Sequence, residues 1–362
     1  MPRQENRRVG RWSAMLALVA LLAAAGPAGR WARGDEAEES LDRYRQKVDA
    51  AIDRGLAYLA KHQEKDGAFA SPMRKNTGVT GLALMAFLAK GHTPGVGPYG
   101  DVLNKGIDYI LGAQRPDGMI LGKVSSHGPM YSHCISTLLL SEVSGMVSSE
   151  RQEKLDQVLG KGVEVILAAQ QVKKPNPKHQ GGWRYKHKSR DSDISCTGWA
   201  VMTLRSARNN GSAVPKKAIE DALQFVMNCR TKDGGFAYQP GGGPGFARTG
   251  TALLCLELCG RHGEPAVTGA GDWLKTKPPQ KFGGSHFYYG MYYASQGMFQ
   301  LGGAYWQEWG ELLYEMMLKH QQKDGSWPTE AGSGGRAGAC YSTAMSVLAM
   351  SVSYRQLPIY QR

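Results

Sequence analysis

Near its C-terminal end the chain reads Gln321-Gln-Lys-Asp-Gly-Ser-Trp327, and degenerate copies of this motif recur along the sequence. Asp-Gly is typical of a tight turn, because aspartate hydrogen-bonds its own backbone and glycine accepts a positive φ. Most copies also keep a glutamine or arginine before the turn and an aromatic residue after it. The other copies lie at residues 63–69, 114–118, 170–183 with an insertion, 230–236 and 282–284. Six copies of one unit predict a repeat protein.

Each copy of the motif stands between two helical segments of different character. The segment before the turn, such as residues 218–226, is amphipathic and keeps a charged face. The segment after it, such as residues 249–256, mixes small and apolar residues nearly all round. An amphipathic helix lies at a surface, whereas a helix that is apolar all round is buried. Outer helices that alternate with buried inner helices predict a closed double ring.

The composition agrees with a folded domain that is rich in turns. Of the 362 residues, 42% are hydrophobic and 21% are charged, a balance that excludes a disordered chain. The 47 glycines follow no three-residue period, which excludes collagen. Many of them fall at the Asp-Gly turns, in the loops before the inner helices or within those helices. We therefore interpret the glycine excess as the turn chemistry of the repeats.

The first 34 residues have the pattern of a secretory signal peptide. Several arginines precede an apolar run over residues 14–25, which Gly26-Pro27 ends. Such a run is short for a membrane span but typical of a signal peptide. We predict a signal peptide over 1–34, a lead-in over 35–50 and one ring domain over 51–362. The protein is expected in the periplasm or the extracellular space, or anchored to a membrane by an uncleaved signal.

The formal net charge is +13 at pH 7, and the basic residues are scattered except for an insertion at residues 172–190. No nucleic-acid-binding motif accompanies them, so we expect no nucleic-acid partner. Association of a positive face with an anionic membrane surface stays open. The plain interpretation of the insertion is a solvated loop. Alternatively, its charges attract an anion or lower the pKa of the aspartates that follow it.

The repeat motif resembles that of squalene and hopene cyclases. Residues 321–327 match it in full, and residues 63–69 match it nearly. From about residue 51 to 354, the chain is similar to the terpenoid cyclase and protein prenyltransferase superfamily. The resemblance implies an all-α (α/α)6 toroid of six inner and six outer helices, with a central cavity for an apolar or polyprenyl ligand. Within the motif we expect structural roles, in which the glutamine and the aromatic residue tie an outer helix end to the next turn.

The candidate ligand-binding residues stand at the starts of the inner helices. In such a ring these N-terminal ends converge on one mouth of the cavity, where their free N–H groups lie. Aromatic rings there suit an apolar ligand or a carbocation, although rings at helical spacing also build cores. Arg248 suits an anionic group, or alternatively an ion pair with Asp191 or Asp193. The predicted cavity residues are Tyr131, His133, Trp199, Arg248, Tyr288, Tyr289 and Tyr341.

The candidate catalytic acids are Asp191 and Asp193. Squalene–hopene cyclases carry Asp-x-Asp-Asp at a comparable position, and their middle aspartate protonates an alkene. By this resemblance Asp193 is the proton donor and Asp191 the first member, whereas Ile194 stands where the family has its last aspartate. The alternative is that one of the aspartates only caps the helix that begins near Ile194. The two roles are compatible.

A zinc site is a further alternative that the resemblance raises. Protein prenyltransferases hold zinc through Asp, Cys and His, and Cys340-Tyr341 is similar to their cysteine segment. Tyr131-Ser-His-Cys134 matches their histidine segment loosely, but Gly338 stands where their aspartate is expected. The six cysteines include no Cys-x-x-Cys pair, which excludes a zinc ribbon. We predict no metal and no cofactor, and we expect buried cysteines; disulfides stay open.

Two functions follow from these patterns. The first is an exported enzyme of the terpenoid cyclase type, an isomerase or lyase. It would use Asp193 as the general acid on a polyprenyl or other apolar substrate. The second is a noncatalytic toroid that binds a peptide, a glycan or a lipid at the cavity mouth. The fold alone does not choose between them, since one fold serves many functions.

Overall fold

The computed structural model describes residues 41–73, 75–122, 128–279, 281–332 and 334–360. The predicted signal peptide and the first six residues of the predicted lead-in lie outside these ranges. Within them the chain forms α-helices and short 3-10 turns, and its β-structure is limited to isolated bridges. In the same ranges, no helix combines the length and the apolar character needed to cross a membrane.

The helices alternate between an outer and an inner ring along the chain. The outer ring consists of α1 (Arg45–Lys61), α3 (Gly100–Gly112), α5 (Ser149–Gln170), α7 (Lys216–Asn228), α9 (Pro265–Thr276) and α11 (Gly303–His320). The inner ring consists of α2 (Thr77–Ala89), α4 (Pro129–Glu142), α6 (Ile194–Asn209), α8 (Phe246–Leu258), α10 (Phe287–Leu301) and α12 (Ala339–Met350).

The inner ring is closed. Each inner helix packs against the next inner helix of the chain, and the last one, α12, packs against the first, α2. The first outer helix, α1, also packs mainly against α12. This closure confirms the predicted all-α (α/α)6 toroid.

The two rings differ in burial as the sequence pattern predicts. Every residue of α2 is buried, because neighbouring helices surround it. Helix α7 instead buries one face, which includes Leu223 and Phe225, and leaves Lys216 and Lys217 exposed. Burial of one large apolar side chain stabilises a fold by about 1.5–3 kcal/mol, so the inner face of each outer helix fastens it to the ring.

The glutamine of the repeat motif joins consecutive hairpins. Gln63 Nε2 donates to the carbonyl oxygen of Gly67 in its own turn at 3.1 Å, and to that of Val102 in the next outer helix at 2.8 Å. The same two bonds recur in three other repeats, from Gln114 to Gly118 and Val158, from Gln170 to Gly181 and Ala218, and from Gln321 to Gly325 and Ala51. The structure therefore gives the motif glutamine the predicted structural role.

The ring begins before residue 51, where the sequence analysis places its start. Helix α1 begins at Arg45, and Val48 on it is buried. Leu41 is buried as well and packs on Gly310 of α11, where a Cβ would lie 2.7 Å from the leucine side chain. Because these apolar side chains pack on the ring, the later part of the predicted lead-in belongs to the folded domain.

The C-terminal segment, residues 357–360, is largely buried and packs against the inner helix α6. The N–H of Ile359 donates to Oε2 of Glu142, the last residue of α4, at 3.1 Å. The hydroxyl of Tyr360 shares a hydrogen bond with that of Tyr292 on α10. We call this segment the C-terminal plug.

Candidate functional site

A cavity of about 490 Å³ lies at the N-terminal ends of the inner helices, which we call the mouth of the ring. Its wall contains residues from the start of every inner helix, because the closed ring brings all six starts together. The aromatic wall residues are Tyr131, Tyr185, Trp199, Tyr238, Tyr289 and Tyr341. The polar and charged wall residues are Asn76, Ser132, Ser195, Arg248, His286 and Glu330.

The structure brings most of the predicted cavity residues together at this wall. These are Tyr131, Trp199, Arg248, Tyr289 and Tyr341. Their contact with a ligand stays a prediction. The other two predicted residues, His133 and Tyr288, do not line the cavity.

His133 is a structural residue, which corrects its predicted place in the cavity. Its buried ring accepts the N–H of Ile120 on Nδ1 at 3.0 Å and donates from Nε2 to the Gly162 carbonyl oxygen at 3.0 Å. Burial lowers the pKa of His133 to about 4, so the ring is neutral at pH 7. In other repeats a threonine hydroxyl accepts the equivalent N–H bond: Thr80, Thr197, Thr249 and Thr343. An alignment of the repeats places His133 at the position of these threonines, which indicates the structural role.

Tyr288 also lies outside the cavity wall, although its neighbour Tyr289 is part of it. Successive residues of a helix point roughly 100° apart, so the two side chains face different surroundings. The Tyr288 hydroxyl donates to the Pro328 carbonyl oxygen at 2.5 Å, and its N–H donates to Glu330 Oε2 at 2.9 Å. Tyr288 therefore holds the loop that precedes α12.

Asp193 caps α6, because its Oδ1 accepts the N–H of Cys196 at 2.8 Å. The side chain is fully buried behind the wall, where the nearby Ser195 lines the cavity instead. Burial raises the pKa of Asp193 to about 6. The carboxyl group lies near the Tyr238 side chain, and its Oδ2 has no partner in hydrogen-bond geometry among the described residues. The capping role is observed, and the proton-donor role stays a prediction.

Asp191 belongs to the outer side of the wall. Its carboxylate forms an ion pair with Arg184 at 2.8 Å, and nearly half of its side chain is exposed. The Arg184 guanidinium carbon lies 4.8 Å from the ring centre of Tyr185 and 5.7 Å from that of Tyr238. Asp191 therefore positions a cation that supports two wall tyrosines, and it does not itself line the cavity. Its predicted catalytic role stays a prediction.

Arg248 lines the cavity without a carboxylate partner. Its Nη1 donates to the Gly243 carbonyl oxygen at 2.9 Å, and among the described residues no carboxylate oxygen lies within 4.0 Å of the guanidinium. The predicted alternative of an ion pair with Asp191 or Asp193 is wrong, because Asp191 pairs with Arg184 and Asp193 is buried as a cap.

Two tyrosines of the wall, Tyr185 and Tyr238, are not among the predicted cavity residues. Their hydroxyls share a hydrogen bond of 2.5 Å, which leaves the rings to form the wall. Each tyrosine stands two residues after the aromatic residue of its repeat motif, Trp183 or Phe236. An alignment of the repeats therefore places both tyrosines at one shared position after the motif.

The insertion at residues 172–190 is more than the solvated loop that was expected. The Tyr185 carbonyl oxygen accepts the N–H of Met130 at the start of α4 at 3.1 Å, so the insertion is fastened to the mouth. Lys174 is buried, and burial lowers its pKa to about 8. Three exposed cations stand at alternate positions after Tyr185, and we call them the basic rim: Lys186, Lys188 and Arg190.

The acid among the wall residues is Glu330, which the sequence analysis also missed. Its Oε2 accepts the N–H of Tyr288 at the start of α10. Its Oε1 is buried beside Gly334, where a Cβ would lie 1.5 Å from this oxygen. Burial raises the pKa of Glu330 to about 7, although backbone N–H bonds oppose the rise. No periodic pattern marks this residue, because it stands in a loop.

The cysteines form no metal site in the part of the chain that the structure describes. All six are free, and Cys134, Cys196 and Cys340 near the inner helix starts are buried. Burial raises the pKa of each of these thiols, to about 12 for Cys340, so they are protonated at neutral pH. Across the described ranges, no three His, Cys, Asp or Glu side chains are grouped closely enough to hold a metal ion.

A closed double ring of helices with a cavity at its mouth defines an α/α-toroid protein. The family model for the prenyltransferase alpha-alpha toroid domain matches residues 102–286, slightly more than half of the chain. The chain belongs to this family. No curated protein sequence matches it.

Several solved structures are similar in fold. A wild-type glycosidase has a TM-score of 0.55 at 13% identity, over 86% of this chain and 98% of that chain. An alpha-amylase from Clostridium perfringens has a TM-score of 0.53 at 9% identity, over 84% of this chain and 97% of that chain. A type II terpene cyclase from Scytonema has a TM-score of 0.36 at 14% identity, over 86% of this chain and 99% of that chain. At such identities the first two show the shared fold alone.

Proposed function

We propose that the protein binds a largely apolar small molecule in the cavity at the mouth. The observation that carries this proposal is the wall, in which six aromatic side chains surround about 490 Å³. Pockets for small molecules commonly measure about 300–1,000 Å³ and have mainly apolar walls with a few polar groups. The size and the composition of the cavity both fit this class of site.

The wall changes character with depth. Leu82, Ile135 and Trp199 lie in the second turns of their helices and form an apolar inner part. Asn76 precedes α2 and Glu330 precedes α12, so polar groups surround the entrance. An elongated ligand fits this order with its apolar part inside and its polar end at the mouth.

A binding measurement with the full chain and farnesol, a neutral isoprenoid alcohol, tests the proposal. Ala247→Trp places a large ring in the cavity wall and is expected to abolish binding. Val96→Trp adds the same residue where the side chain is 66% exposed and is expected to bind like the natural chain. Farnesol binding that survives Ala247→Trp would refute the site. Tighter binding of maltotriose than of farnesol would assign the cavity to a glycan.

Cyclase-like acid chemistry is a second candidate, and one observation favours it. Asp193 has a raised pKa, and its carboxyl group lies near Tyr238, which lines the cavity. Tyr238 is thus the group through which a proton of Asp193 would reach a ligand. Incubation with geranylgeraniol, followed by mass spectrometry, tests for a cyclised product. Asp193→Asn should abolish that product, whereas Asp117→Asn on an exposed turn should not. A product that persists in Asp193→Asn excludes this acid.

We also propose that the protein is exported, on the pattern of its first 34 residues. N-terminal sequencing of the protein from separated culture fractions tests this. A mature chain that begins near residue 35 in the soluble exported fraction supports cleavage. An uncleaved chain in the membrane fraction supports an anchor, and an uncleaved chain in the cytoplasm refutes export.

A further inference from the structure

We propose that the ligand of the cavity carries a carboxylate head group and that Arg248 binds it. This inference rests on the proposed function, because it assigns the polar end of the same apolar ligand. The observation that carries it is a guanidinium in an aromatic wall that has no carboxylate partner among the described residues. Arg248 is partly buried and lines an aromatic cavity, so a ligand that supplies the opposite charge and accepts its N–H donors is favoured.

The position of the guanidinium is fixed by the start of α8. Arg248 Nη1 donates to the Gly243 carbonyl oxygen, and a Cβ on Gly245 would lie only 3.1 Å from the guanidinium carbon. The group therefore lies against the backbone that leads into the helix. A guanidinium has five N–H donors, and the bond to Gly243 uses one of them. The other donors are available to a ligand at the mouth.

Glu330 does not neutralise Arg248 by contact. No oxygen of Glu330 lies within 4.0 Å of the guanidinium, and its Oε2 is bonded to the N–H of Tyr288. An arginine stays charged at every physiological pH. The cavity therefore offers a permanent positive charge on Arg248. The carboxyl group of Glu330 instead accepts the backbone N–H of Tyr288.

The surroundings of the mouth have the same sign. The basic rim, Lys186, Lys188 and Arg190, is exposed and follows Tyr185 of the wall along the chain, and it forms no ion pair within the described part of the chain. Such a group of charges raises the local concentration of anions and speeds their association. Both the wall and the rim thus select an anionic head group over a cationic one.

A carboxylate fits this site better than a phosphate monoester. The planar carboxylate matches two parallel N–H donors of one guanidinium. A phosphate monoester brings nearly two negative charges, whereas the wall supplies one arginine. We therefore assign the ligand to the class of apolar monocarboxylates, with the apolar chain among the aromatic rings.

Calorimetric titration of the full chain with probes that share one decyl chain tests the assignment. The probes are decanoate, 1-decanol, decyl phosphate and decyltrimethylammonium, each below its micelle concentration at low salt. Decanoate is expected to bind at least about tenfold more tightly than 1-decanol, because it can form charge-assisted hydrogen bonds with the guanidinium. Arg248→Gln should reduce this ratio to about one, and Arg248→Lys should keep part of it.

The matched control is Arg208→Gln. It removes the same charge from an exposed residue in the last turn of α6, far from the start of that helix, and should keep the natural ratio. Equal affinity for decanoate and 1-decanol in the natural chain would overturn the inference and leave the proposed function intact. Tighter binding of decyl phosphate or of the ammonium probe, or a full ratio in Arg248→Gln, would also overturn it. No binding of any probe or of farnesol would refute the proposed function itself.

Discussion

The side-chain amide of Gln321, in the last repeat, donates a hydrogen bond of 2.7 Å to the carbonyl oxygen of Ala51, in the first helix. The equivalent bond of Gln63 reaches the next hairpin along the chain, at Val102. The last repeat thus contacts the first repeat in the same way as each earlier repeat contacts the one that follows it. In an open repeat array the end units have one neighbour, whereas here every unit has two.

Loss of the closing bond is expected to destabilise the whole domain. Gln321→Ala leaves two carbonyl oxygens, of Ala51 and Gly325, without this donor, and should lower the free energy of unfolding by about 1–3 kcal/mol. Urea unfolding followed by circular dichroism measures the change. Gln63→Ala removes the equivalent internal bonds and should cost a similar amount, whereas Gln171→Ala, at an exposed position, should cost little. If Gln321→Ala lowered the free energy of unfolding far less than Gln63→Ala, the result would contradict a continuous ring.

The turn glycines combine a positive φ with a close approach of the backbone, and two variants separate these effects. Gly325 has φ +91°, and a Cβ there would lie 2.4 Å from the Arg54 carbonyl oxygen. Gly97 has φ +69° with nothing within 4 Å of such a Cβ. Gly97→Ala should cost about 1–2 kcal/mol for the left-handed backbone alone. Gly325→Ala should cost clearly more in the same thermal unfolding assay, and equal losses would exclude a role for the close approach.

The capping and acid roles of Asp193 respond differently to two substitutions. Asp193→Ala removes the acceptor for the Cys196 N–H and should lower the free energy of unfolding by about 0.5–2 kcal/mol. Asp193→Asn keeps an acceptor oxygen and should lose much less, since asparagine caps helices about as well. Urea unfolding distinguishes the two. If Asp193→Asn is as unstable as Asp193→Ala, the carboxyl group stabilises the fold by something other than capping.

The buried carboxyl of Glu142 makes stability depend on pH. It accepts bonds from Ser206 Oγ and from the N–H of Ile359, and burial raises its pKa from 4.5 to about 7. The folded state therefore holds this proton more tightly than the unfolded chain. Its stabilising contribution is complete below about pH 4.5 and is lost as the pH rises through 7. From pH 5 to pH 8 the loss should be about 2–3 kcal/mol.

The difference between the natural chain and Glu142→Gln isolates this effect. His133, whose depressed pKa lowers stability below pH 6.5, is present in both chains and cancels. Between pH 5 and pH 8, the melting temperature of Glu142→Gln should change less with pH than that of the natural chain. Parallel profiles would show that Glu142 does not titrate in this range.

The ring was predictable because one motif recurs in register, and each copy separates an amphipathic helix from an apolar one. The start of the ring was not, since Leu41 and Val48 lie before the first full repeat and show no repeat pattern of their own. Their burial depends on α11, which lies late in the sequence. Local periodicity carries no information on such a partner.

The site was predictable only where helix starts determine it. Tyr289 and Tyr341 stand on inner helices, whose direction the ring fixes, and they line the cavity. Glu330 and Tyr185 reach the wall from loops, where the backbone path decides the direction of a side chain. His133 was predicted at the cavity because it stands near the start of an inner helix, whereas its position in the repeat is that of a threonine that accepts a backbone N–H bond.

The C-terminal plug sets an order of events in folding. The plug is bonded through Tyr360 to Tyr292 of α10, and α1 packs on α12, which follows it by nearly the whole length of the ring. Helix α1 therefore lacks its main partner until α12 has left the ribosome. Contacts over such sequence distances are entropically expensive to form and slow folding. We expect the N-terminal hairpins to need protection from aggregation until α12 and the plug have been synthesised.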